Sequence, residues 1–270
     1  MQGRVLIVAG SDSGGGAGLQ ADVKTVTALG GYAATAVTAV TAQNTEGVFG
    51  VFEVPPEFVV RQIELVLDDL GADAIKTGML ATAEVIEAVA DALARRAPDV
   101  PLVVDPVLRA KGGHALLAPD AARTLRDRLV PRATVLTPNL PEAEALAGRR
   151  GDNEAARLDL ARALLDLGPR AVLLKGGHAE GPAVTDLLVT RDGVRRFSSP
   201  RIATRHTHGT GCTLASAIAV GLAQGLPLER AAARARSYVL RAIRSAPGYG
   251  RGHGPLDHGH TVRPFDGDGT

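Results

Sequence analysis

The chain has 270 residues, of which 45% are hydrophobic and 22% charged, a balance typical of a folded protein with a substantial core. Its 30 basic and 29 acidic residues leave a net charge of +1, which offers no field for attracting nucleic acid or an anionic membrane. The single cysteine, Cys212, excludes an internal disulfide and any CxxC metal or redox site, and it suits a reducing compartment, so we expect a cytoplasmic protein.

Glycine is the unusual component of this sequence. It accounts for 32 of the 270 residues, whereas aromatic residues make up only 3% and tryptophan is absent. That share is roughly 12%, against an average of about 7% in proteins. An excess beyond the needs of ordinary turns indicates loops in which the backbone approaches a ligand closely.

The first predicted unit consists of a strand, a glycine-rich loop and a helix. Val5–Ala9 is a continuous apolar run, which suits a strand buried on both faces and is too short for a signal-peptide core or a membrane span. After the loop Gly10–Gly18, apolar residues at helical spacing predict a helix from Leu19 to Leu29. Two strands and a helix are predicted next, at Ala33–Thr41, Val48–Val54 and Pro56–Leu70.

Beyond Leu70 the pattern alternates between short apolar runs and helical periodicity. The runs predict strands near Ala74–Thr77, Leu102–Asp105, Thr134–Thr137 and Ala171–Lys175. The periodic segments predict helices near Ala83–Arg96, Pro119–Leu129, Pro141–Ala147 and Glu154–Leu167. Repeated βα units of this kind predict an α/β fold with a mostly parallel sheet covered by helices.

The last third of the chain closes the predicted domain. Ala183–Thr190 and Val194–Phe197, joined by a turn containing Gly193, predict a β-hairpin at an edge of the sheet. Helices near Thr210–Gln224 and Pro227–Ser245 complete a single domain over residues 1–246. Residues 247–270 are rich in Gly, His and Pro and have few apolar side chains, so we expect a loosely held C-terminal tail.

Polar and glycine residues recur directly after the predicted strands. The carboxyl ends of parallel strands meet at one edge of an open sheet, and ligands bind beyond that edge. We therefore expect the functional site among these segments: Gly10–Gly18, Lys76–Met79, Asp105–Val107, Thr137–Glu142, Lys175–His178 and His208–Cys212.

The first of these loops partly matches known nucleotide-binding patterns. Gly16–Ala21 fits the G-x-G-x-x-A dinucleotide pattern, but Val40–Asn44 contains no carboxylate where the ribose needs one. A Walker-type phosphate loop is excluded because the chain contains no Gly-Lys dipeptide. Two interpretations stay open, a ligand-binding loop and a flexible turn, and the density of glycines favours the first.

The segment from Gly209 to Cys212 carries a sharper signal. It stands at the start of an apolar helix, so its backbone N–H groups would form an anion site at the positive end of the helix dipole. The same field is expected to lower the pKa of the Cys212 thiol and to favour a thiolate. The alternative is a small buried residue at a helix start, which is how a free cysteine usually behaves.

Three polar residues have both a structural and a functional interpretation. Asn139 and Glu142 stand before an apolar run in a capping-box pattern, and a cap at a strand end also faces the ligand. Asp105 closes a buried strand, where a carboxylate has to be solvated, capped or bound to a cation. Mg²⁺ is the natural candidate if phosphates are near.

Seven motifs follow one another in a distinctive order: Gly10–Asp22, Thr41–Thr45, Lys76–Leu80, Val104–Val107, Thr137–Glu142, Lys175–His178 and Thr207–Thr213. Together they resemble the hydroxymethylpyrimidine/phosphomethylpyrimidine kinases of thiamine biosynthesis, which belong to the ribokinase-like superfamily. The resemblance covers Val5 to about Ala246. It implies a three-layer ribokinase-like fold, with a mostly parallel central sheet, helices on both faces and an edge β-hairpin.

The resemblance also implies a reaction and its catalytic residues. The enzyme would use ATP to phosphorylate 4-amino-5-hydroxymethyl-2-methylpyrimidine, and then its monophosphate to the diphosphate. Cys212 would be the catalytic base, and the segment Gly209, Thr210 and Gly211 would stabilise charge on the transferring phosphoryl group. The residues implied for binding the cofactors are Asn139, Glu142, Lys175 and Thr207 for ATP, and Asp105 and Glu142 for Mg²⁺.

On the substrate side, the resemblance implies a pyrimidine site formed by Gln43, Gly10, Asp12, Met79 and Val107. Gln43 stands where the family often has glutamate, and its amide can still accept from the ring amino group and donate to a ring nitrogen. The expected partners are therefore the pyrimidine and ATP, without nucleic acid or membrane. The strand-like segments within Ala33–Val54 would form a lid or the interface of a homodimer.

Other functions stay open at this point. A pyridoxal/pyridoxine kinase of the same superfamily would have similar loops, although Cys212 favours the pyrimidine branch. A cysteine-dependent hydrolase using Cys212 with His208 lacks an evident residue to orient the histidine. A non-catalytic nucleotide-binding module is disfavoured by the presence of Asp105 and Cys212 together with the glycines of the anion site.

Overall fold

The computed structural model of the chain describes residues 2–108, 119–178 and 181–263. Its strands are β1 (Arg4–Asp12), β2 (Tyr32–Gln43), β3 (Val48–Glu53), β4 (Ala74–Thr77), β5 (Leu102–Val104), β6 (Val135–Leu136), β7 (Ala171–Leu174), β8 (Ala183–Thr190) and β9 (Gly193–Pro200). Every predicted strand is present. Strands β1 and β9 each run three residues beyond their predicted ends, because pairing with a neighbouring strand continues there.

The helices also follow the predicted pattern. They are α1 (Gly18–Ala28), α2 (Pro56–Asp69), α3 (Ala83–Arg96), α4 (Pro119–Arg128), α5 (Leu140–Ala147), α6 (Glu154–Leu165), α7 (Thr210–Ala223) and α8 (Leu228–Arg244). A short 3₁₀ turn at Val130–Arg132 was not predicted. Within the described ranges, no helix has both the length and the apolar character needed to cross a membrane.

The strands of the described residues form one sheet in the order β3-β2-β1-β4-β5-β6-β7-β8-β9. The central strands from β2 to β7 run parallel, whereas β3, β8 and β9 pair antiparallel at the two edges. The predicted hairpin is therefore the β8-β9 edge. The parallel arrangement brings the carboxyl ends of β1, β4, β5, β6 and β7 to one side of the molecule, as the sequence predicted.

Two hydrophobic cores lie on opposite faces of the sheet, so the molecule has three layers. Leu6 and Val8 of β1 pack into the core beneath α2 to α6, whereas Val5 and Ile7 pack into the core beneath α1, α7 and α8. These four side chains have no solvent exposure. Both faces are thus covered, which is why the parallel strands are continuously apolar rather than alternating. The predicted three-layer α/β fold is confirmed.

The expectation of a loosely held C-terminal tail is wrong as far as residue 263. Leu256 is buried, and the Tyr238 hydroxyl of α8 donates a 2.6 Å hydrogen bond to the carbonyl of His258. The His258 ring lies 3.0 Å from the Thr213 hydroxyl, next to Cys212. The composition predicted a loosely held tail because the tail has few apolar side chains. Hydrogen bonds, and glycines that let its backbone approach other parts of the chain closely, hold it in place instead. The proposed domain boundary at residue 246 stays a prediction.

Candidate active site

A cavity of about 930 Å³ opens at the carboxyl ends of the parallel strands. Its walls come from the loops that follow β1, β4, β5, β6 and β7, together with the start of α7. The structure brings every predicted site residue to this cavity: Gly10, Asp12, Gln43, Met79, Asp105, Val107, Asn139, Glu142, Lys175, Thr207, Gly209, Thr210, Gly211 and Cys212. One continuous space is therefore large enough for a nucleotide and a small second substrate.

The loop after β1 is organised around the Asp12 carboxylate. Its Oδ1 accepts the backbone N–H of Gly14 at 2.8 Å, and its Oδ2 accepts those of Gly16 and Ala17 at 3.0 and 2.8 Å. Burial opposes ionisation, but hydrogen bonds from His208 and the backbone lower the pKa of Asp12. Asp12 therefore holds the glycine loop in shape, a role that sequence reasoning did not assign to it.

The loop before α7 lies directly against this first loop. Gly209, the residue that precedes the helix, has a φ of +82°, and a Cβ atom there would lie 1.8 Å from the carbonyl oxygen of Gly16. Only glycine fits both the backbone conformation and the close approach. The contact fixes the start of α7 at the cavity, where the first-turn N–H groups have no partner within the helix and face an incoming anion.

We expect Gly209→Ala to lower kcat/KM by more than about 100-fold and to destabilise the fold, because the loop must move away from Gly16. Gly225→Ala is the matched control, since Gly225 also has a positive φ, +78°, but nothing lies within 4 Å of a Cβ there. The control should cost only about 1–2 kcal/mol of stability and leave kcat/KM unchanged. Thermal unfolding and steady-state kinetics measure both. Equal kinetic losses in the two variants would contradict the close-contact argument.

A cluster of charged side chains lies at the ends of β5, β6 and β7. Lys175 Nζ is 2.9 Å from Asp105 Oδ1 and 3.9 Å from Glu142 Oε2. The Thr137 hydroxyl also donates to Asp105 Oδ1, at 3.1 Å. Burial raises the pKa of Glu142 to about 7, against the attraction of Lys175. Although burial opposes its charge, the neighbouring carboxylates raise the pKa of Lys175, which therefore stays cationic.

Glu142 also caps α5, as the sequence predicted. The Asn139 side chain accepts the Glu142 N–H at 2.9 Å, and Glu142 Oε2 accepts the Asn139 N–H at 2.7 Å. The capping box is thereby confirmed. The cap explains the orientation of Glu142 without any ligand, whereas its burial beside Asp105 is consistent with an additional role in cation binding.

The donor atoms of this cluster suit Mg²⁺, which takes some of its ligands from phosphates and water, better than a metal ion that is bound by side chains alone. Among the residues that the structure describes, no three Asp, Glu, His or Cys side chains converge as a metal site. Mg²⁺ is usually bound by one or two carboxylates, with phosphates and water as its other ligands. Asp105 and Glu142 meet that requirement, and Lys175 beside them is placed to pair with phosphate oxygens.

Cys212 lies half-buried in the first turn of α7, and its thiol interacts electrostatically with a buried ion pair that sequence reasoning missed. Lys76 Nζ is 2.7 Å from Asp22 Oδ2, with both side chains fully buried, and the Ser216 hydroxyl donates to Asp22 Oδ1. The prediction of a lowered thiol pKa is wrong. Burial raises the pKa of Cys212 to about 12, although the Lys76 ammonium opposes the rise. Desolvation therefore outweighs the attraction of Lys76.

The remaining predicted residues line the opposite part of the cavity. Met79 and Val107 form a small apolar wall with Ala39 and Ala81. Gly10 faces this wall, and a Cβ there would lie 3.1 Å from the Met79 sulfur. An apolar surface of this kind is suited to a flat apolar ring, and the Gln43 side chain lines the same cavity.

His208 is engaged with residues other than Cys212. Its Nε2 lies 2.9 Å from Asp12 Oδ2 and 3.0 Å from the side-chain nitrogen of Gln43. A histidine held in this way is not positioned as the base of a cysteine nucleophile, so the geometry does not support the hydrolase alternative. The sequence signal that could have identified His208 is its place immediately before Gly209.

Comparisons with known proteins agree with this geometry. The family model described as phosphomethylpyrimidine kinase matches residues 12–257. The hydroxymethylpyrimidine/phosphomethylpyrimidine kinase of Streptomyces coelicolor is 52% identical over 255 residues, covering 94% of each chain. The thiamine biosynthesis bifunctional protein ThiED of Geobacter sulfurreducens is 52% identical over 257 residues, which are 95% of this chain. This chain spans only about half the length, 52%, of that relative.

Among solved structures, the ADP complex of Bacillus subtilis pyridoxal kinase superimposes with a TM-score of 0.89 at 33% identity, covering 96% of this chain and 98% of its own. The fold and the cavity define the chain as a small-molecule kinase of the ribokinase-like class. Within that class, it belongs to the phosphomethylpyrimidine kinase family. The predicted enzyme, a hydroxymethylpyrimidine/phosphomethylpyrimidine kinase of thiamine biosynthesis, is confirmed.

Proposed function

We propose that the chain transfers the γ-phosphoryl group of ATP to the hydroxymethyl oxygen of 4-amino-5-hydroxymethyl-2-methylpyrimidine, and then phosphorylates the monophosphate to the diphosphate. The observation that carries this proposal is one cavity that joins an apolar wall at Met79 and Val107 to a cationic and acidic cluster at Lys175 and Asp105. The start of α7 lines the same cavity, and a Cβ on Gly211 would lie 3.1 Å from Lys175 Nζ. A ring at the first and phosphates at the second would bring the reacting atoms together at Cys212.

The phosphate end of the cavity supplies positioning and charge stabilisation. Lys175 and the first-turn N–H groups of α7 would contact the phosphate oxygens, where preorganised donors stabilise the charge of phosphoryl transfer. Asn139 and Thr207 line the same part of the cavity and would contact the nucleotide. Mg²⁺, held by Asp105 and Glu142, would neutralise charge between the phosphates. The ADP complex of the related pyridoxal kinase supports nucleotide binding.

At the reacting centre, the hydroxymethyl oxygen forms the new P–O bond while the bond from the γ-phosphorus to the oxygen retained by ADP breaks. The hydroxyl proton goes to the Cys212 sulfur in its thiolate form. Lys76 and the Gly18 N–H favour that form, whereas burial and the carboxylates of Asp22 and Asp105 oppose it. Since burial raises the pKa of Cys212 to about 12, only the thiolate fraction of the chain can accept the proton, and the rate should follow that fraction.

Turnover of the purified chain tests the proposed function. Incubation with ATP, Mg²⁺ and the pyrimidine alcohol should release ADP and give the monophosphate, and further incubation should give the diphosphate. Omission of Mg²⁺ by chelation should abolish both steps. No turnover of either the alcohol or the monophosphate would refute the proposal. Formation of the monophosphate alone would restrict it to the first step.

Pyridoxal kinase is the second candidate activity, and the likeness to the B. subtilis enzyme at a TM-score of 0.89 favours it. An apolar wall that accepts a pyrimidine ring also accepts a pyridine ring, so the two substrates compete for the same surface. The ratio of kcat/KM for pyridoxal and for the pyrimidine alcohol decides between the two activities. We propose the pyrimidine as the preferred substrate, and a higher kcat/KM for pyridoxal would reverse that assignment.

We propose that the chain is a cytoplasmic homodimer that pairs through the β3 edge. Phe49 and Phe52 on this edge strand are 72% and 73% exposed, and Val51 between them is 41% exposed. An edge strand that carries large apolar side chains is suited to pairing with a second copy. The single unpaired cysteine, Cys212, supports the reducing compartment.

Phe52→Lys should convert the homodimer into a monomer, because pairing would bury the new charge. Light scattering on a sizing column gives the mass of both proteins. Tyr249→Lys is the matched control, since Tyr249 is similarly exposed, at 69%, but lies outside β3. The control should remain a dimer. A wild-type chain that elutes as a monomer at micromolar concentration would exclude this interface.

A further inference from the structure

His208 occupies an unusual position between two walls of the cavity. Its ring is only 12% exposed, and its Nε2 atom lies within hydrogen-bond distance of both Asp12 Oδ2, at 2.9 Å, and the Gln43 side-chain nitrogen, at 3.0 Å. No role in the proposed phosphoryl transfer has been assigned to it. One ring nitrogen facing two polar groups restricts the proton arrangements that are possible.

The ring is held in place by two other parts of the chain. The backbone N–H of His208 donates to the carbonyl of Gly254 at 3.1 Å, and the backbones of Pro255 and His208 form an isolated parallel bridge. On its other side, Gly16 approaches so closely that a Cβ there would lie 2.6 Å from the His208 ring. The imidazole therefore lies between the first glycine loop, Gly10–Gly18, and the C-terminal segment, residues 247–263.

The C-terminal segment is itself tied to the chain beside Gln43. The His253 N–H donates to the carbonyl of Thr45 at 2.8 Å, and a Cβ on Gly252 would lie 2.0 Å from the same oxygen. Gly250, Gly252 and Gly254 are thus required by close approach, since a Cβ on each would lie 2.0 to 2.3 Å from another residue, in contrast to the expectation of a loose tail. The C-terminal segment is therefore hydrogen-bonded both to His208 and to the chain two residues beyond Gln43.

Asp12 determines which proton His208 carries. The Asp12 carboxylate already accepts backbone N–H groups from Gly14, Gly16 and Ala17, an environment that stabilises its ionised form. An ionised carboxylate only accepts hydrogen bonds, so His208 Nε2 must carry a hydrogen directed at Oδ2. A protonated Nε2 has no lone pair left for an N–H group of Gln43.

The Gln43 amide can satisfy this neighbour in only one of its two orientations. A half-turn about its last bond exchanges the nitrogen and oxygen positions, and the surrounding hydrogen bonds decide between them. With the oxygen toward His208 Nε2, the amide shares the ring hydrogen and avoids a contact between two donors. The Gln43 NH₂ group then points away from His208, on a residue that lines the cavity.

We propose that His208 is a positioning residue for substrate recognition, which orients the Gln43 amide so that its NH₂ group is presented to a hydrogen-bond acceptor on the ring of the substrate. This inference rests on the proposed function, in which Gln43 borders the ring site. The class of ligand that it selects is a heteroaromatic ring with an acceptor nitrogen at its edge. The C-terminal segment contributes by holding the imidazole in place.

A double-mutant cycle on the full chain tests this proposal. His208→Phe should raise the KM for the pyrimidine alcohol about tenfold, the effect of one well-placed hydrogen bond, and leave the KM for ATP unchanged. Gln43→Leu should have a similar effect. The double variant should be no worse than the worse single variant, because both changes remove the same interaction.

Further variants separate positioning from folding. Gln2→Leu is the same replacement as Gln43→Leu at an exposed side chain ahead of β1, at the opposite end of that strand from the cavity, and should leave both KM values unchanged. If His208→Phe does not fold, His208→Gln and His208→Met provide the comparison, since they match in length and only Gln retains an N–H donor. His208→Gln should then leave the KM for the pyrimidine alcohol unchanged, and His208→Met should raise it.

The outcomes distinguish this inference from the proposed function. An inactive wild-type chain would overturn the function itself. A wild-type chain that turns over the pyrimidine, but whose two substitutions have additive effects on KM, would overturn the coupling of His208 to Gln43. Equal increases of the KM for ATP and for the pyrimidine in His208→Phe would show general damage to the site and would also overturn the positioning role.

Discussion

Cys212→Ala should lower kcat by about 100- to 10,000-fold, the usual contribution of a general base, while the Kd for ATP stays unchanged. The expectation follows from the position of the thiol in the first turn of α7, on the wall of the cavity that also contains the proposed ring and phosphate sites. Single-turnover kinetics and nucleotide titration measure the two quantities. A variant with full activity would refute the role of Cys212 as the base.

The pH dependence of the wild-type chain provides a second readout of the same residue. Since burial raises the pKa of Cys212 to about 12, the thiol is protonated near neutral pH and the thiolate is the minor form. The thiolate fraction, and with it kcat/KM, should therefore rise from about pH 8 to about pH 10, above the pKa of about 7 of Glu142. Cys212→Ser keeps the size of the side chain but has a far less acidic group, so it should lose both the activity and this rise.

Lys76→Met should destabilise the fold by about 3–5 kcal/mol, the usual cost of breaking a buried ion pair by removing one partner. Lys76 and Asp22 are both fully buried and 2.7 Å apart, so the variant would leave the Asp22 carboxylate with the Ser216 hydroxyl but without its cation. Denaturant unfolding measures the loss. The double variant Lys76→Met with Asp22→Leu should recover part of it, because no buried charge then remains.

A surface ion pair offers the matched control for this prediction. Arg128 and Asp91 are 2.6 Å apart, but their side chains are 43% and 53% exposed. Arg128→Met should change stability by no more than about 1 kcal/mol, because water replaces the lost interaction. If Lys76→Met cost no more than this control, the Lys76–Asp22 pair would not be a source of stability. In that case, the kcat of Lys76→Met would show whether the ion pair affects only the reactivity of Cys212.

Most of the fold could be predicted because its signals are local. The continuous apolar run at Val5–Ala9 indicates a strand buried on both faces, and the helical spacing from Leu19 onward indicates the helix that follows. The capping box at Asn139 and Glu142 likewise depends on residues three apart and is present as predicted. Such features need no knowledge of distant parts of the chain.

The site was predicted less completely, because its missing parts depend on contacts between distant residues. Asp22 and Lys76 are 54 positions apart, and His208 is 165 positions from Gln43. Neither pair has a signature in sequence spacing. The C-terminal segment shows the same limitation, since the approach of Gly252 to Thr45 cannot be read from its composition.

The sequence by itself determined the order of strands and helices, the family motifs and the edge of the sheet at which the site forms, since hydrophobic periodicity and glycine placement are properties of neighbouring residues. Only the tertiary structure decided the electrostatics of that site. Desolvation raises the pKa of the Cys212 thiol, whereas its place at a helix start predicted a lowered one. The tertiary structure also packed the C-terminal segment against His208 and Thr45. Desolvation and close backbone approach depend on what surrounds a residue in space, and that environment comes from remote parts of the chain.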